Sequence, residues 1–153
     1  MSPATRATIS HQRPLYVAEP PAQYLARPPV VVDCSALAGM LFEEPWQAQA
    51  AEKIHGRTLN APYLLQTEII SVALKKHKQG LGVLAVSGLA RYDTLEIALH
   101  ETQSAEVLAL ALRYKLSAYD AAYLWLAAEL KAPLATFDEK LGRAAQLHLA
   151  SLP

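Results

Sequence analysis

The sequence predicts an α/β domain whose mostly parallel sheet is covered by helices on both faces. Short apolar runs of strand length alternate along the chain with longer segments of helical spacing, the pattern that produces parallel sheets. The 153 residues are 52% hydrophobic and 18% charged, which supplies one buried core without a disulfide or metal staple. We therefore expect one domain, residues 30–153, preceded by a proline-rich N-terminal extension, residues 1–29.

The extension differs from the domain in composition. It holds six of the ten prolines, which disfavour helix interiors and central strands. Its charge is +2, the charge of residues 30–153 is −2, and the formal net charge is zero. Two interpretations stay open: a flexible or surface-hugging segment, which the composition favours, and a regulatory arm in which residues 13–27 pack on the domain or on a second subunit.

Five strands are predicted. The β-branched run at 30–32 is typical of a buried parallel strand, and residues 94–99 alternate between apolar and polar side chains. The other three span three residues each. In chain order the strands are residues 30–32, 58–60, 94–99, 134–136 and 147–149.

Helices fill the intervals between the strands. Ser35 is predicted to cap the first helix, Pro62 suits the first turn of the third, and Gly56 and Gly80 follow helix ends. In chain order the helices are residues 36–42, 47–55, 62–79, 82–91, 101–115, 117–130 and 138–146.

Composition excludes several classes of protein. The single cysteine, Cys34, excludes an internal disulfide and a multi-cysteine zinc site. No apolar run approaches the ~20 residues of a membrane span, and residues 1–29 have no apolar core for a secretory signal. We therefore expect no membrane association and a cytoplasmic protein. Zero net charge argues against nucleic-acid binding through bulk positive charge.

Three of the four aspartates are predicted at one edge of the sheet. Asp33 directly follows the first strand, Asp138 follows the fourth by two positions, and Asp120 lies in the first turn of a helix. Ligands of parallel sheets bind outside the carboxyl ends of the strands. A helix-capping role explains each aspartate alone, but it does not explain why all three converge.

Glu68 is the fourth acid of interest. It lies in mid-helix, beyond the reach of an N-terminal cap, and is either an exposed side chain or one that faces the same cleft. Four carboxylates in one cleft repel each other, and a divalent cation relieves that repulsion. Hard oxygen ligands favour Mg²⁺ or Mn²⁺, and such a site suits metal-assisted phosphodiester hydrolysis.

Four segments resemble the acidic motifs of PIN-domain ribonucleases, in particular the VapC toxins of bacterial toxin–antitoxin pairs. They are VVDCSAL (31–37), LQTEIIS (65–71), SAYDAAY (117–123) and ATFDEKL (135–141). The resemblance implies a three-layer α/β/α fold with a five-stranded, mostly parallel sheet. It also implies an Mg²⁺- or Mn²⁺-dependent endoribonuclease, the toxin of a type II pair, that forms a homodimer and is inhibited by a cognate antitoxin.

The resemblance also assigns residues. It implies a catalytic and metal-binding quartet with two supporting hydroxyls, namely Asp33, Glu68, Asp120 and Asp138, with Ser35 and Thr136. Cys34 takes a position often filled by threonine, and we expect a small buried side chain rather than a nucleophile. Candidate RNA-binding residues are Lys75, Lys76, Lys78 and Arg143, although cations at a helix C-terminus also complement its dipole.

Other α/β phosphate chemistries fit less well. A haloacid-dehalogenase-like enzyme requires a second aspartate two residues after the first, where this chain has Ser35, and a response-regulator receiver requires an acidic pair near its first strand. A catalytically inactive PIN-like module that binds RNA or a protein remains the alternative. The intact quartet argues against it.

Overall fold

The computed structural model describes Tyr16 and residues 27–153. The predictions made for the proline-rich extension, including a regulatory arm at residues 13–27, therefore fall almost entirely outside the described residues.

The sheet is parallel and has four strands in the order β3-β2-β1-β4. The strands are β1 (Pro29–Val32), β2 (Thr58–Pro62), β3 (Ile97–His100) and β4 (Leu134–Ala135). Val30, Val31 and Val32 are each at most 2% exposed. Because successive side chains of a strand point to opposite faces, both faces of the sheet are covered, as predicted.

Seven helices lie within residues 27–153. They are α1 (Cys34–Leu41), α2 (Gln47–Ile54), α3 (Leu64–Lys78), α4 (Gly82–Thr94), α5 (Ser104–Tyr114), α6 (Ala118–Leu130) and α7 (Glu139–Ala150). α1 packs against α2, α3 and α4, whereas α6 packs against α5, α7 and three strands. α6 is buried on every side from Ala121 to Ala127, which makes it the central helix. No helix in this part of the chain is long and apolar enough to cross a bilayer.

The fifth strand predicted at residues 147–149 is wrong, because these residues continue α7. Leu141, Ala144 and Ala145 are buried on its inner face. One turn later, His148 Nδ1 shares a hydrogen bond of 3.0 Å with the hydroxyl of Tyr114 on α5. The alternation of Leu147, His148 and Leu149 suits a strand, but three residues are too few to exclude a helix.

Several predicted element ends also move. α1 begins at Cys34 because Asp33, and not Ser35, is its N-cap; the Ala36 N–H donates to Asp33 Oδ1 at 2.9 Å. Pro62 ends β2 instead of opening α3. α4 continues to Thr94, so β3 starts later than predicted.

Candidate active site

The carboxyl ends of β1 and β4 form the floor of the candidate site. The two strands pair in parallel with Val32 opposite Ala135, so Asp33 and Thr136 leave the sheet side by side. The order of the strands reverses here, because β2 and β3 lie on one side of β1 and β4 lies on the other. Parallel sheets bind their ligands outside the strand ends at such a switch point.

Asp33 is buried and held by three donors. It is 5% exposed, one of two buried polar side chains in the described part of the chain. Its Oδ1 accepts hydrogen bonds from the Ser35 hydroxyl at 2.7 Å and from the Ala36 N–H at 2.9 Å. Its Oδ2 accepts from the Thr136 hydroxyl. Ser35 and Thr136 therefore lie beside Asp33 and fix the direction of its carboxylate.

The same two hydroxyls join the ends of the two strands. The Phe137 N–H donates to Ser35 Oγ at 2.8 Å, and the Asp138 N–H donates to Thr136 Oγ1 at 2.9 Å. Each hydroxyl thus donates to Asp33 and accepts from the loop after β4. The position of Asp138 is set by the same group that orients Asp33.

Glu68 reaches this edge from α3. It is half-buried, and its Oε1 accepts a hydrogen bond of 2.8 Å from the Tyr123 hydroxyl on α6. Tyr123 is 1% exposed, and burial together with the charge of Glu68 raises the pKa of its phenol, so it stays protonated and donates. From the sequence we assigned Tyr123 no role, although it ends the segment 117–123. The interval from Asp120 to Tyr123 places both on one face of α6 but does not identify Glu68 as the partner of Tyr123.

Asp120 and Asp138 lie at the starts of two helices. Ser117 is the N-cap of α6, and its hydroxyl accepts from the Asp120 N–H at 3.1 Å. Asp138 is the N-cap of α7, where its Oδ1 accepts from the Leu141 N–H at 2.7 Å. Asp138 is exposed, whereas Asp120 is half-buried. Both acids therefore stand at the positive end of a helix dipole.

The four acids interact electrostatically. Burial raises the pKa of Asp33, Glu68 and Asp120 above the usual carboxylate range. The charge of Asp120 raises the pKa of Asp33 further, both of these acids raise that of Glu68, and Asp138 raises that of Asp120. Asp120 is thus coupled to the other three. Hydrogen bonds from Thr136 to Asp33 and from Tyr123 to Glu68 oppose these shifts.

Cys34 lies next to this cluster. Burial, and then the charges of Glu68 and Asp33, raise the pKa of its thiol to about 12. A thiol with this pKa stays protonated at neutral pH and is a poor nucleophile. The chemistry of the site therefore belongs to the carboxylates.

The donor set suits a hard divalent cation that is held by few direct contacts. Within Tyr16 and residues 27–153, no group of three or more His, Cys, Asp or Glu side chains is arranged to hold a metal ion. Mg²⁺ usually needs only one or two protein carboxylates, because water completes its octahedron. Asp120 raises the pKa of Asp33, and both acids raise that of Glu68, so a cation at this point would relieve the repulsion.

The predicted RNA-binding cations lie outside this cluster. Lys76 is ion-paired with Glu44, with only 17% of its side chain exposed, and Arg143 pairs with Glu139 on α7 at 2.5 Å. Lys75 and Lys78 are exposed, about 10–15 Å along α3 from Glu68 at 1.5 Å per residue.

A cavity of about 350 Å³ opens beside Glu68. The other lining residues come from α3 and α6 and are Leu64, Thr67, Ser71 and Tyr119. Thr67, Glu68 and Ser71 lie on one face of α3, because residues three and four apart are neighbours on a helix, so this face borders open space next to the acids.

Comparisons with known proteins agree with this architecture. The profile described as the PIN domain matches residues 30–147. The crystal structure of PAE2754 from Pyrobaculum aerophilum is similar in fold, with a TM-score of 0.60 and 20% sequence identity over 81% of this chain and 96% of that one. No curated protein matches the sequence. PIN domains are in general nucleases, and they typically use divalent metal ions. The profile match covers most of the sequence, and the chain therefore belongs to the PIN domain family.

Proposed function

We propose that the protein is a metal-dependent endoribonuclease that acts as the toxin of a type II toxin–antitoxin pair. The observation that carries the proposal is the coupling of Asp33, Glu68, Asp120 and Asp138 at the switch point of the sheet. Family membership supports a nuclease. The choice of RNA and the toxin role rest on the resemblance of the four acidic segments to VapC toxins.

In this proposal Asp33, Glu68, Asp120 and Asp138 would together hold Mg²⁺ or Mn²⁺ at the carboxyl edge of the sheet. The ion would supply an activated water and neutralise charge on the phosphate. Ser35 and Thr136 donate to Asp33, which favours its charged form and fixes its orientation. Glu68 caps no helix and has a raised pKa, so we assign it the role of proton acceptor.

The proposal includes a second copy of the chain and a cognate antitoxin as partners, and a cytoplasmic site of action. Exposed apolar side chains on the packed pair α3 and α4 support partner binding: Ile70, Leu74, Val83 and Val86. Apolar surface of this kind is characteristic of interaction sites.

The test is cleavage of total RNA in the presence of Mn²⁺. We expect Asp33→Asn and Asp120→Asn each to lower the rate by about a hundredfold or more, because each removes a negative charge that would hold the metal ion. Circular dichroism should show an intact fold. The matched control is Asp93→Asn, which changes the one aspartate outside the cluster and should keep the full rate. Full activity in both site variants would overturn the assignment.

A PIN-like module that binds RNA or a protein without cutting it is the second candidate. It is favoured by the lack, among the described residues, of a ready group of three metal-ligating side chains. Calorimetric titration with Mn²⁺ separates the two functions. A nuclease takes up Mn²⁺ and loses this uptake in Asp120→Asn, whereas a binding module gives the same flat titration for both proteins.

A further inference from the structure

A second cavity is larger than the one beside Glu68 and is lined by none of the four acids. It has a volume of about 790 Å³ and lies between β4 and α2, with Val30, Pro133, Leu134 and Ala135 along the sheet side. β4 is an edge strand of two residues, paired only with β1. This groove therefore borders the open edge of the sheet.

The opposite wall of the groove is basic. Lys53, His55 and Arg57 line it, against one acid, Glu52. Within residues 27–153 none of the three basic side chains has a carboxylate oxygen within 4.0 Å. Residues 30–153 carry a net charge of −2, so a local excess of positive charge on this wall is unusual for the domain. Such an excess indicates a surface that binds phosphate groups.

Two aromatic side chains connect the groove to the acids. The rings of Trp46 and Phe137 are 5.9 Å apart between centroids and tilted by 48°. Both residues bond to Ser35: the Trp46 indole N–H donates to its carbonyl at 3.4 Å, and the Phe137 backbone N–H donates to its hydroxyl at 2.8 Å. The Lys53 ammonium lies 4.9 Å from the Phe137 ring centroid. The basic wall thus begins one side chain away from the residue that orients Asp33.

Trp46 is open to solvent on one side and fixed on the other. Its ring lies against α1 at Gly39, where an added Cβ would lie 2.5 Å from Trp46 Cδ1. It is nevertheless 36% exposed. An aromatic ring that is held in place and partly uncovered beside a cleft is a stacking surface for a base of single-stranded RNA.

We propose that this groove binds the single-stranded RNA substrate on one side of the scissile phosphate. One base stacks on Trp46, and the neighbouring phosphates contact Lys53, His55 and Arg57. The inference rests on the proposed ribonuclease function and adds the path of the substrate. An open sheet edge can also bind a peptide strand, but β4 offers only two residues for pairing. The three basic side chains favour a polyanion instead.

The test measures binding of a labelled single-stranded oligoribonucleotide by fluorescence anisotropy in an Asp120→Asn background, which leaves the RNA uncut. We expect Trp46→Ala to weaken binding about tenfold or more, and Trp46→Phe to restore most of the affinity. Lys53→Gln and Arg57→Gln should each weaken binding and lower the slope of log affinity against log salt by about 0.7, the value for one lost phosphate contact. The control is Lys131→Gln, at the opposite end of α6 from Asp120, which should change neither quantity.

The outcomes separate this inference from the proposed function. If the unmodified chain cuts RNA and the groove variants keep their affinity and salt slope, the groove is not the substrate path although the nuclease stands. Absence of cleavage with any divalent ion overturns the proposed function, and the groove is then judged by binding alone. Loss of RNA affinity in Lys53→Gln and Arg57→Gln supports the groove. Unchanged affinity, or no RNA binding by the parent protein, overturns it and leaves the peptide strand as the occupant to test.

Discussion

At the scale of single residues, burial makes Asp33 and Glu68 harder to ionise, and hydrogen bonds oppose that effect. Asp33 is the most buried of the four, but three donors favour its charged form. Glu68 is less buried and has one such donor, Tyr123. The hydrogen bond from the Tyr123 phenol is therefore the one side-chain contact that favours the charged form of Glu68.

Tyr123→Phe should raise the pKa of Glu68 further, because the lost hydrogen bond lowered it. If Glu68 works in its charged form, the acidic limb of the pH–rate profile moves to higher pH. We also expect a loss of about 1 kcal/mol in the free energy of unfolding, since a part-buried carboxylate oxygen loses its partner.

Tyr92→Phe, which changes a buried tyrosine of α4, is the control for this experiment. It should leave the pH profile where it was. A Tyr123→Phe profile that coincides with that of Tyr92→Phe would show that Glu68 does not act through its charge.

The motifs in the sequence located the four acids and the hydroxyls of Ser35 and Thr136, but they did not reveal the partner of Glu68. The positions of Asp33, Asp120 and Asp138 could be predicted, because local sequence patterns indicate where strands end and helices begin. The bond from Tyr123 to Glu68 spans 55 positions and joins two helices, so no local pattern specifies it. The same holds for Trp46 and Phe137, whose contact depends on how α2 and β4 pack.

At the scale of elements, the capping role and the proposed chemical role of an acid coincide. Asp33 caps α1, Asp138 caps α7, and both helices begin at the carboxyl edge of the sheet. The two interpretations of these acids that the sequence left open are therefore compatible. A helix that starts at the site supplies its own N–H groups to hold the acid in place.

Substitutions at Asp138 can separate the two roles. Asp138→Asn should keep the stability of α7, because asparagine is an equally good N-cap, whereas Asp138→Ala should cost about 1 kcal/mol. Both variants lose a carboxylate that the proposal places at the metal ion, so both should lose RNA cleavage. Urea denaturation beside a cleavage assay checks this. Retention of activity by Asp138→Asn would mean that Asp138 serves only as a cap.

Local patterns also explain which elements the sequence predicted well. The Val-rich sequence of β1 is compatible only with a strand, and the apolar sequence of α6 only with a helix. The ends of both elements were predicted within about one residue. The error at residues 147–149 came from a run too short to have a period of its own. Its helical state is decided by the contact of α7 with α5 through His148 and Tyr114, which no short window of sequence contains.

At the scale of the whole molecule, the balance of charge hides an uneven distribution. The domain has two more acids than bases, and four of its acids are concentrated at one edge of the sheet. In the metal-free protein the raised pKa values of Asp33, Glu68 and Asp120 mean that the folded state holds protons more tightly than the unfolded state. Stability therefore falls as pH rises from the ordinary carboxylate pKa through these raised values.

Divalent cations should reverse this loss. Mn²⁺ at about 100 times its dissociation constant adds about 2.7 kcal/mol, or roughly 5–10 °C in Tm for a domain of this size. Because the ion binds deprotonated carboxylates, the gain should grow as pH rises through the same interval. Differential scanning calorimetry at several pH values measures it. An equal gain in Asp120→Asn would place the ion elsewhere.

The bonds from Ser35 and Thr136 also have a consequence for when the site can exist. The hydroxyl of Thr136 and the carboxylate of Asp33 are 103 positions apart, and Phe137 and Ser35 are 102 apart. Closing a loop of roughly 100 residues costs about 4 kcal/mol of chain entropy, which only a folded core repays. A nascent or proteolysed chain that lacks β4 has neither Asp138 nor the hydroxyl that orients Asp33. The site therefore forms only when the chain from β1 to Asp138 is present and folded, because no shorter fragment contains all of its residues.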